Sequence, residues 1–527
     1  MRKSNSTPGA LPEDTPSPIP SPIPNPIEDL RERIETFLLG LRRPVVTEPG
    51  REVIDLSASN YSLSTEYNKL LWHIWNERTN VVRQITGIHK ESAGRMELRF
   101  QKFGKGPPGT LLVGESRAAA EQLERRSERL RYSQKFRRYL SQMFPQWKAE
   151  NIGAEPDLKR SFSGLYTRGV LCRGQQAWAV IGAGEEEDAQ TIDGILTYGV
   201  IWLDWLRQSD TRRVYQGLKI FVPAKRGTTT LQRLAWMDSQ LAQWELYETG
   251  EEVRRCDAAD VGNLKIMLAP AGGTFTLRPS AASRIERIIE RVIERIVEIS
   301  PQIETHLGPG GLRVFAVHGL PFAKETAQGV IFGVGRAETL VDEKNFGQLK
   351  KLVTSILRFR GAQTKDSQSR QHPYYRLQAE KWMQSMVIRQ IGVLGYKLAS
   401  DALYEQVPAA SGAEAGWMDL LAVDSNGRLA VVEFKASEDI HLPLQAFDYW
   451  IRVHRHQQRG ELQRQGYFSG RALSGQPPLL LLVSPALQFH SACETVLRYF
   501  SPTVEAVRIG LNEQWREGLQ VVFRMGR

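Results

Sequence analysis

The stretch WMDLLAVDSNGRLAVVEFKAS, residues 417–437, carries the strongest indication of fold and function in the chain. Two apolar runs flank DSNG at 424–427, a sequence typical of a hairpin turn, so both runs are predicted to be paired, buried strands. Burying a charged side chain costs free energy unless the charge is paired or binds a metal. Asp419 in the first run, and Glu433 and Lys435 in the second, therefore predict a functional site.

Two carboxylates and one amine on a hairpin are the groups that a hydrolytic Mg²⁺ site needs. Carboxylate oxygens bind this hard cation, and an adjacent lysine can orient a water molecule or help to deprotonate it. The arrangement resembles the PD-(D/E)XK nuclease superfamily, whose motif places an Asp on one strand and Glu/Asp-x-Lys on the next. Asp419 and Glu433-Phe434-Lys435 match that motif, while Met418 stands where the family often has Pro.

The resemblance implies a fold, an activity and a cofactor. Asp419 and Glu433 would bind Mg²⁺, for which Mn²⁺ could substitute, together with the backbone carbonyl of Phe434. Lys435 would position the attacking water. The expected activity is Mg²⁺-dependent hydrolysis of phosphodiester bonds in DNA.

Helices are predicted on both sides of the hairpin. The first, RLQAEKWMQSMVIRQIG at 376–392, includes Glu380, and the resemblance implies that this residue contributes to the metal site. The second, DIHLPLQAFDYWIRVHRHQQR at 439–459, places Gln445 four residues before Tyr449 on one helix face, as in many family members. Gln445 would position the scissile backbone or the motif lysine.

Each of these residues also has an ordinary structural explanation. Asp419 could cap a strand end, and Glu433 with Lys435 could form a surface pair on one face of an edge strand. Glu380 could be a solvated helix position, and Gln445 a plain polar one. The order helix, strand, strand, helix favours the nuclease-type fold over this set of separate explanations.

A basic row continues along the second helix. Arg452, Arg455 and Arg459 recur on one face beyond Gln445, with His456 alongside. They are predicted to contact the DNA phosphates that flank the scissile bond. A plain solvated helix face explains the same pattern equally well.

The middle of the chain repeats the order of elements predicted for the C-terminal region. Residues 160–250 are predicted to run strand, helix, strand, helix, strand, as residues 429–510 do. An ungapped alignment pairs Gly182 with Glu433, Gly184 with Lys435, Gly194 with Gln445 and Tyr198 with Tyr449. This pattern indicates an internal duplication whose first copy lost its catalytic residues; coincidence between two ordinary α/β units is the alternative.

Other segments have simpler predictions. A Pro-rich tail covers residues 1–27, and helices are predicted at 27–41, 64–88 and 125–144, with strands at 95–103 and 110–114. The helix at 125–144 is strongly basic; its aromatic residues are expected to pack on the domain, with phosphate binding as the alternative. The helix at 281–299 has an apolar stripe that either packs on its own domain or supports a homodimer.

Composition sets wider limits. The chain has 527 residues, enough for three or four domains, and a net charge of +10, which permits a nucleic-acid partner. Cys172, Cys256 and Cys493 lie far apart, so neither a disulfide framework nor a zinc site is expected. That usage is typical of the reducing cytoplasm. The basic N-terminus lacks the apolar segment of a secretory signal, and no run is long enough to span a membrane.

The sequence thus predicts an α/β multidomain protein. Its C-terminal domain is expected to be a PD-(D/E)XK-like mixed sheet flanked by helices, with a degenerate copy of the same fold in the middle as an open hypothesis. The segments are a tail and short helix at 1–45, a mixed domain at 46–150, an α/β domain at 151–270, a helix with a small α/β segment at 271–365, and the nuclease-like domain at 366–527. The alternative function is a catalytically inactive nuclease fold that acts as a DNA-binding or assembly module.

Overall fold

The structure, a computed structural model, describes most of the chain. The described residues are 26–41, 44–48, 54–56, 59–66, 69–75, 80–92, 94–101, 108–257, 284–307, 312–335, 338–361, 367–411 and 414–527. They form a mixed α/β protein with several sheets and twelve helices, as the sequence predicted at this level. The chain divides into two compact units, residues 1–128 and 129–527. The Pro-rich tail before residue 26 lies outside the described residues.

The first unit is a seven-stranded antiparallel sheet with a helix packed in its core. The elements are α1 (Pro26–Leu39), β1 (Pro44–Thr47), β2 (Ile54–Asp55), β3 (Asn60–Glu66), β4 (Lys69–Trp75), β5 (Asn80–Ser92), β6 (Arg95–Gln101) and β7 (Gly109–Glu115). The strand order is β2-β1-β7-β6-β5-β4-β3. Ile34 and Leu38 of α1 are buried among the apolar side chains of the sheet.

The predicted helix at 64–88 is wrong, because this segment forms β3, β4 and β5. Leu70, Trp72 and Ile74 are buried at every second position of β4, which is the period of a strand with one buried face. The predicted strands at 95–103 and 110–114 are confirmed as β6 and β7.

The predicted basic helix is confirmed as α2 (Ser116–Met143). Phe136 and Leu140 are fully buried, and Tyr139 is nearly so. They pack in an apolar cluster with Trp178 and Phe221 of the second unit, which confirms that the aromatic residues serve packing. The end of this helix thus packs on β-strand residues that follow it in the chain, and the boundary at residue 150 remains a prediction.

The second unit begins with the second half of α2 and a six-stranded sheet. We call these two parts together the middle sheet domain. Its elements are β8 (Lys148–Gly153), β9 (Thr167–Arg173), β10 (Gln176–Gly182), α3 (Ala189–Ser209), β11 (Val214–Pro223), α4 (Thr228–Leu234), β12 (Gln243–Thr249) and β13 (Val253–Arg255). The order is β13-β12-β11-β10-β9-β8. β10, β11 and β12 run parallel, and the other neighbours are antiparallel.

A small domain follows. It contains α5 (Arg284–Val297), the antiparallel strands β14 (Ile303–Leu307), β15 (Arg313–Val317), β16 (Leu320–Thr326), β17 (Gly329–Phe332) and β18 (Thr339–Leu340), and α6 (Phe346–Phe359). Ile289, Ile293 and Ile296 of α5 are buried in the core of this domain, so the apolar stripe packs on its own sheet. Ile288 stays exposed. A homodimer through this helix remains a prediction.

The C-terminal sheet domain is a second six-stranded mixed sheet flanked by helices. Its elements are α7 (Ser367–Gln371), α8 (Pro373–Arg376), α9 (Ala379–Arg389), β19 (Tyr404–Ser411), β20 (Glu414–Val423), β21 (Leu429–Phe434), α10 (Leu442–Gln458), α11 (Glu461–Arg464), β22 (Leu479–Pro485), α12 (Ala492–Arg498), β23 (Ala506–Leu511) and β24 (Val521–Gly526). The order is β19-β20-β21-β22-β23-β24. β21, β22 and β23 run parallel, and the other neighbours are antiparallel.

The DSNG turn is confirmed between β20 and β21. Oδ1 of Asp424 accepts hydrogen bonds from the backbone amides of Asn426 and Arg428. Gly427 has a φ of +80°, a conformation that glycine adopts at little cost. The turn sets the register of the hairpin and so places the residues near the other end of β20 and β21 side by side.

Among the described residues, no helix is both long and apolar enough to cross a membrane.

Glu304 and Arg360 join the small domain to the C-terminal sheet domain. The guanidinium of Arg360 is buried and donates to the carbonyls of Tyr374, Leu377 and His318. The carboxylate of Glu304 accepts from Ser385 and from Arg389.

His306 adds a pH-sensitive contact to this junction. Its ring nitrogens lie 3.5 Å from a carboxylate oxygen of Glu304 and 3.5 Å from one of Glu405. Burial by itself would lower the pKa of His306, but the hydrogen bonds to Glu304 and Glu405 outweigh it and raise the pKa to about 9. The ordinary value is 6.5, so folding favours the protonated ring.

We therefore expect part of the stability to depend on pH through His306. The contribution is complete below about pH 6.5 and is lost as the pH rises through about 9. In denaturant titrations, His306→Gln should lower the free energy of unfolding by roughly 1–2 kcal/mol at pH 6 and by much less at pH 9.5. His89→Gln, at an exposed position of β5, is the control. Equal losses at both pH values for His306→Gln would contradict the assignment.

Candidate active site

Asp419 and Glu433 lie side by side on neighbouring strands. The register pairs Leu420 of β20 with Val432 of β21, so the next position along the ladder brings Asp419 next to Glu433. Oδ2 of Asp419 accepts a hydrogen bond from the backbone amide of Phe434, at 2.9 Å. Asp419 therefore points across to the neighbouring strand and not into solvent.

Glu433 is the most deeply buried carboxyl group of the site. Only 1% of the residue is exposed, and within the described part of the chain Oε2 has no hydrogen-bond partner. Burial, and next the charge of Asp419, raise the pKa of Glu433 well above its ordinary value. Burial likewise raises the pKa of Asp419 to about 6. Two adjacent carboxyl groups with raised pKa values and a free oxygen form a donor set that suits a divalent cation.

Lys435 directly follows β21, and its amine lies near the carboxyl groups of Asp419 and Glu433. Nζ lies 3.7 Å from Oε2 of Glu380 and 4.0 Å from Oδ2 of Asp439, and 14% of the side chain is exposed. Burial would lower the pKa of Lys435, but the charges of Glu380, Glu433 and Asp439 outweigh it and raise the pKa. The amine is therefore held as a charged donor, which suits it to hold a water or a phosphate oxygen and not to remove a proton.

Glu380 is beside the site, in the first turn of α9. Its side chain is 44% exposed and pairs with Lys435. Among the described residues, no group of three or more His, Cys, Asp and Glu side chains is placed to hold a metal ion. The structure thus brings Glu380 to the lysine, and its predicted role as a metal ligand remains a prediction.

Gln445 and Tyr449 lie one turn apart on α10. Burial, and next the charge of Glu433, raise the pKa of Tyr449 to about 12. Tyr449 therefore lies near the carboxyl groups, and the role of Gln445 remains a prediction.

Three further residues of the site were not predicted from the sequence. Gln384 of α9 donates to the backbone carbonyl of Asp419 at 2.8 Å, and Gln406 of β19 donates to Oδ1 of Asp419 at 3.3 Å. Asp439, in the loop before α10, is the second partner of Lys435. Gln406 faces Asp419 because of the register between β19 and β20, which no local sequence pattern specifies.

The predicted phosphate-binding row is wrong for Arg452. This residue is 5% exposed, and its charged group lies inside the domain near Asp448, Tyr449 and Arg233. Arg455 is half-buried, and Arg459 is exposed at the end of α10. The three side chains therefore do not form a common solvent-facing surface, because the face of α10 that carries Arg452 packs against α4 of the middle sheet domain.

The sequence alignment pairs Gly182 with Glu433, but the two residues face opposite sides of their sheets. A Cβ atom added at Gly182, the last residue of β10, would lie 2.5 Å from the hydroxyl of Tyr132 on α2. The side chain of Glu433 lies on the other side of its sheet, near Tyr449 of α10. On the corresponding side of the middle sheet domain, next to α3, the end of β10 presents the buried, apolar Ile181.

No protein-family model and no curated protein matches the sequence.

The buried carboxyl groups predict an unusual response to substitution. Without a cation, Glu433→Gln should stabilise the protein, because it removes an acid whose ionisation burial opposes and keeps a side chain of similar shape. We expect the free energy of unfolding in EDTA at pH 8 to rise by about 1 kcal/mol or more. Glu438→Gln, at an exposed carboxyl, should leave it unchanged. A lower free energy of unfolding for Glu433→Gln in EDTA would contradict the interpretation that the buried carboxyl groups destabilise the protein when no cation is bound.

Proposed function

We propose that the protein is a metal-dependent nuclease of the PD-(D/E)XK type, which hydrolyses phosphodiester bonds of DNA at a site in its C-terminal sheet domain. The observation that carries the proposal is the meeting of Asp419, Glu433 and Lys435 at one point of the sheet. Glu380 from α9 and Tyr449 from α10 border the same point. The strand order, with the motif on an antiparallel pair that leads into parallel strands, fits the resemblance.

The carboxyl groups of Asp419 and Glu433 would hold a Mg²⁺ or Mn²⁺ ion, with the carbonyl of Phe434 as a third donor. Such an ion supplies positive charge to a phosphate and lowers the pKa of bound water. The fit rests on the free, buried Oε2 of Glu433 and on the raised pKa values of both carboxyl groups. Gln406 and the amide of Phe434 fix the Asp419 carboxylate in place.

Lys435 would act as a fixed cationic donor. Its ammonium group, held between Glu380 and Asp439, can hydrogen-bond to the attacking water or to a phosphate oxygen on which negative charge develops. Gln445 and Tyr449 would orient the backbone of the bound strand. In this arrangement Glu380 is a positioning residue, because it acts through Lys435.

A second candidate function is a nuclease fold without catalysis that serves as a DNA-binding or assembly module. Two observations favour it. Within the described residues no third carboxylate, histidine or cysteine completes the pair formed by Asp419 and Glu433. The middle sheet domain has the same strand order, yet the end of β10 presents the apolar Ile181 to α3 where β21 presents Glu433 to α10.

The two candidates differ in a direct assay. The proposed nuclease should cleave DNA with Mg²⁺ or Mn²⁺ and be silent in EDTA. Asp419→Ala and Lys435→Ala should each reduce cleavage by roughly 10²-fold or more, because each removes a group that stabilises charge at the reacting phosphate. DNA affinity at fixed salt should change little, since dispersed basic residues supply most of it.

Lys351→Ala, on the exposed side of α6, is the matched control and should leave cleavage unchanged. Full activity of the Asp419→Ala protein would exclude this site. Salt-dependent DNA binding by the native protein without cleavage, across both metals and across single- and double-stranded DNA, would favour the inactive module.

A further inference from the structure

The two six-stranded sheets have the same topology. Strands β8 to β13 and β19 to β24 follow one order, with the third, fourth and fifth strands parallel and the others antiparallel. A helix precedes each sheet, α2 in one and α9 in the other. Further helices stand between the third and fourth strands and between the fourth and fifth. Apart from the short α11, which only the C-terminal sheet domain has, these elements therefore correspond in chain order.

The contacts between the two domains are reciprocal. Helix α3 packs against α12, and α10 packs against α4. The first helix of each pair lies between the third and fourth strands of its own domain, and the second lies between the fourth and fifth. In a two-fold arrangement, each contact between two different elements occurs twice, the second time with the two copies exchanged. The α3–α12 and α10–α4 contacts form such a pair.

The segments that follow α4 and α12 meet each other directly. Met237 and Phe500 form an antiparallel bridge. The amide of Asp238 donates to the carbonyl of Tyr499 at 2.8 Å, and the amide of Ser501 donates to the carbonyl of Trp236 at 2.8 Å. Equivalent segments thus pair with each other in opposite directions, as they must at a two-fold axis.

Charged and aromatic pairs tie the domains together on both sides of that axis. The guanidinium of Arg233 on α4 binds both carboxylate oxygens of Asp448 on α10, each at 2.8 Å. On the other side, Asp204 of α3 accepts from the hydroxyl of Tyr499 at 3.1 Å. One continuous apolar core includes side chains of both domains. Such an interface is typical of a permanent association.

The segment before α10, which leads from the proposed site, contacts helix α3 of the middle sheet domain. His441, just before α10, has Nδ1 3.3 Å from Oγ1 of Thr197, and its ring centroid is 5.5 Å from that of Tyr198. Tyr198 is the residue that aligns with Tyr449. A Cβ atom at Gly194, which aligns with Gln445, would lie 2.9 Å from the ring of His441. The N-terminal halves of α3 and α10, which border the two sites, therefore adjoin.

From this arrangement we propose that residues 129–527 contain an intrachain dimer of one nuclease-type fold with a single functional site, and that one chain nicks one strand of duplex DNA at a time. The strands of a duplex run antiparallel, so a two-fold pair of sites can address both strands. Here the end of β10 presents the apolar Ile181 to α3, where β21 presents Glu433 to α10, so this position carries no carboxyl group. The single-strand outcome rests on the proposed function.

The test is the product of cleavage of supercoiled plasmid by the full-length protein with Mg²⁺ or Mn²⁺. Nicked circles should accumulate to near completion before linear DNA forms, at a rate first order in protein. Glu433→Gln should abolish nicking, while Gly184→Ala, beside Tyr132 just after β10, should leave it unchanged. Linear DNA formed from the start, or a rate that rises with the square of the protein concentration, would overturn the proposal.

A second measurement separates this inference from the proposed function. The protein should sediment as a monomer, alone and at the plasmid-assay concentration, and both sheet domains should unfold in one transition. Arg233→Ala combined with Asp448→Ala should cost less stability than the sum of the two single changes. Additive losses or two separate transitions would overturn the intrachain dimer. If neither metal supports cleavage, the proposed function is contradicted, and single-strand nicking is overturned with it.

Discussion

The two sheet domains depend on each other because each has a helix that its own sheet cannot cover. Helix α3 buries residues all around its circumference, among them Ile192, Ile195, Thr197 and Ile201. One side packs on β10 and β11, and another meets α12 of the C-terminal sheet domain. Helix α10 is likewise buried on several sides, with Trp450 in an edge contact with Trp236. A helix that is apolar on most sides is stable only when it is enclosed.

This enclosure explains why the basic residues predicted on α10 are not all exposed. Tyr449 lies near the carboxyl group of Glu433, at the end of β21. Arg452 lies on the buried surface where the middle sheet domain packs, near the Arg233–Asp448 pair. A helical pattern shows which residues share a face, but it does not show whether a second domain covers that face. The prediction of a DNA-facing row failed for that reason.

The C-terminal hairpin was predictable because its information is local. Two apolar runs and a turn with Asp424 and Gly427 specify a paired, buried hairpin, and the two motif carboxyl groups stand out against that background. The repeat in the middle of the chain was visible for the same reason, as apolar strands at matching intervals. In the N-terminal sheet the local pattern led to the wrong prediction of a helix. Leu70, Trp72 and Ile74 alternate as in a strand, but the charged residues of the same segment also suit a helix. Gln384 and Gln406 reach Asp419 through the packing of distant elements, so no local pattern could specify them.

The two domains treat one side of a common topology in opposite ways. In the middle sheet domain, the end of β10 presents the buried, apolar Ile181 to α3. In the C-terminal sheet domain, the end of β21 presents to α10 a carboxyl group with a free oxygen and a raised pKa. Such a group destabilises the fold unless a cation accompanies it. Because the same topology folds with an apolar side chain on this side, the fold does not require the carboxyl group of Glu433. Its presence at a cost in stability is the physical argument for a chemical role.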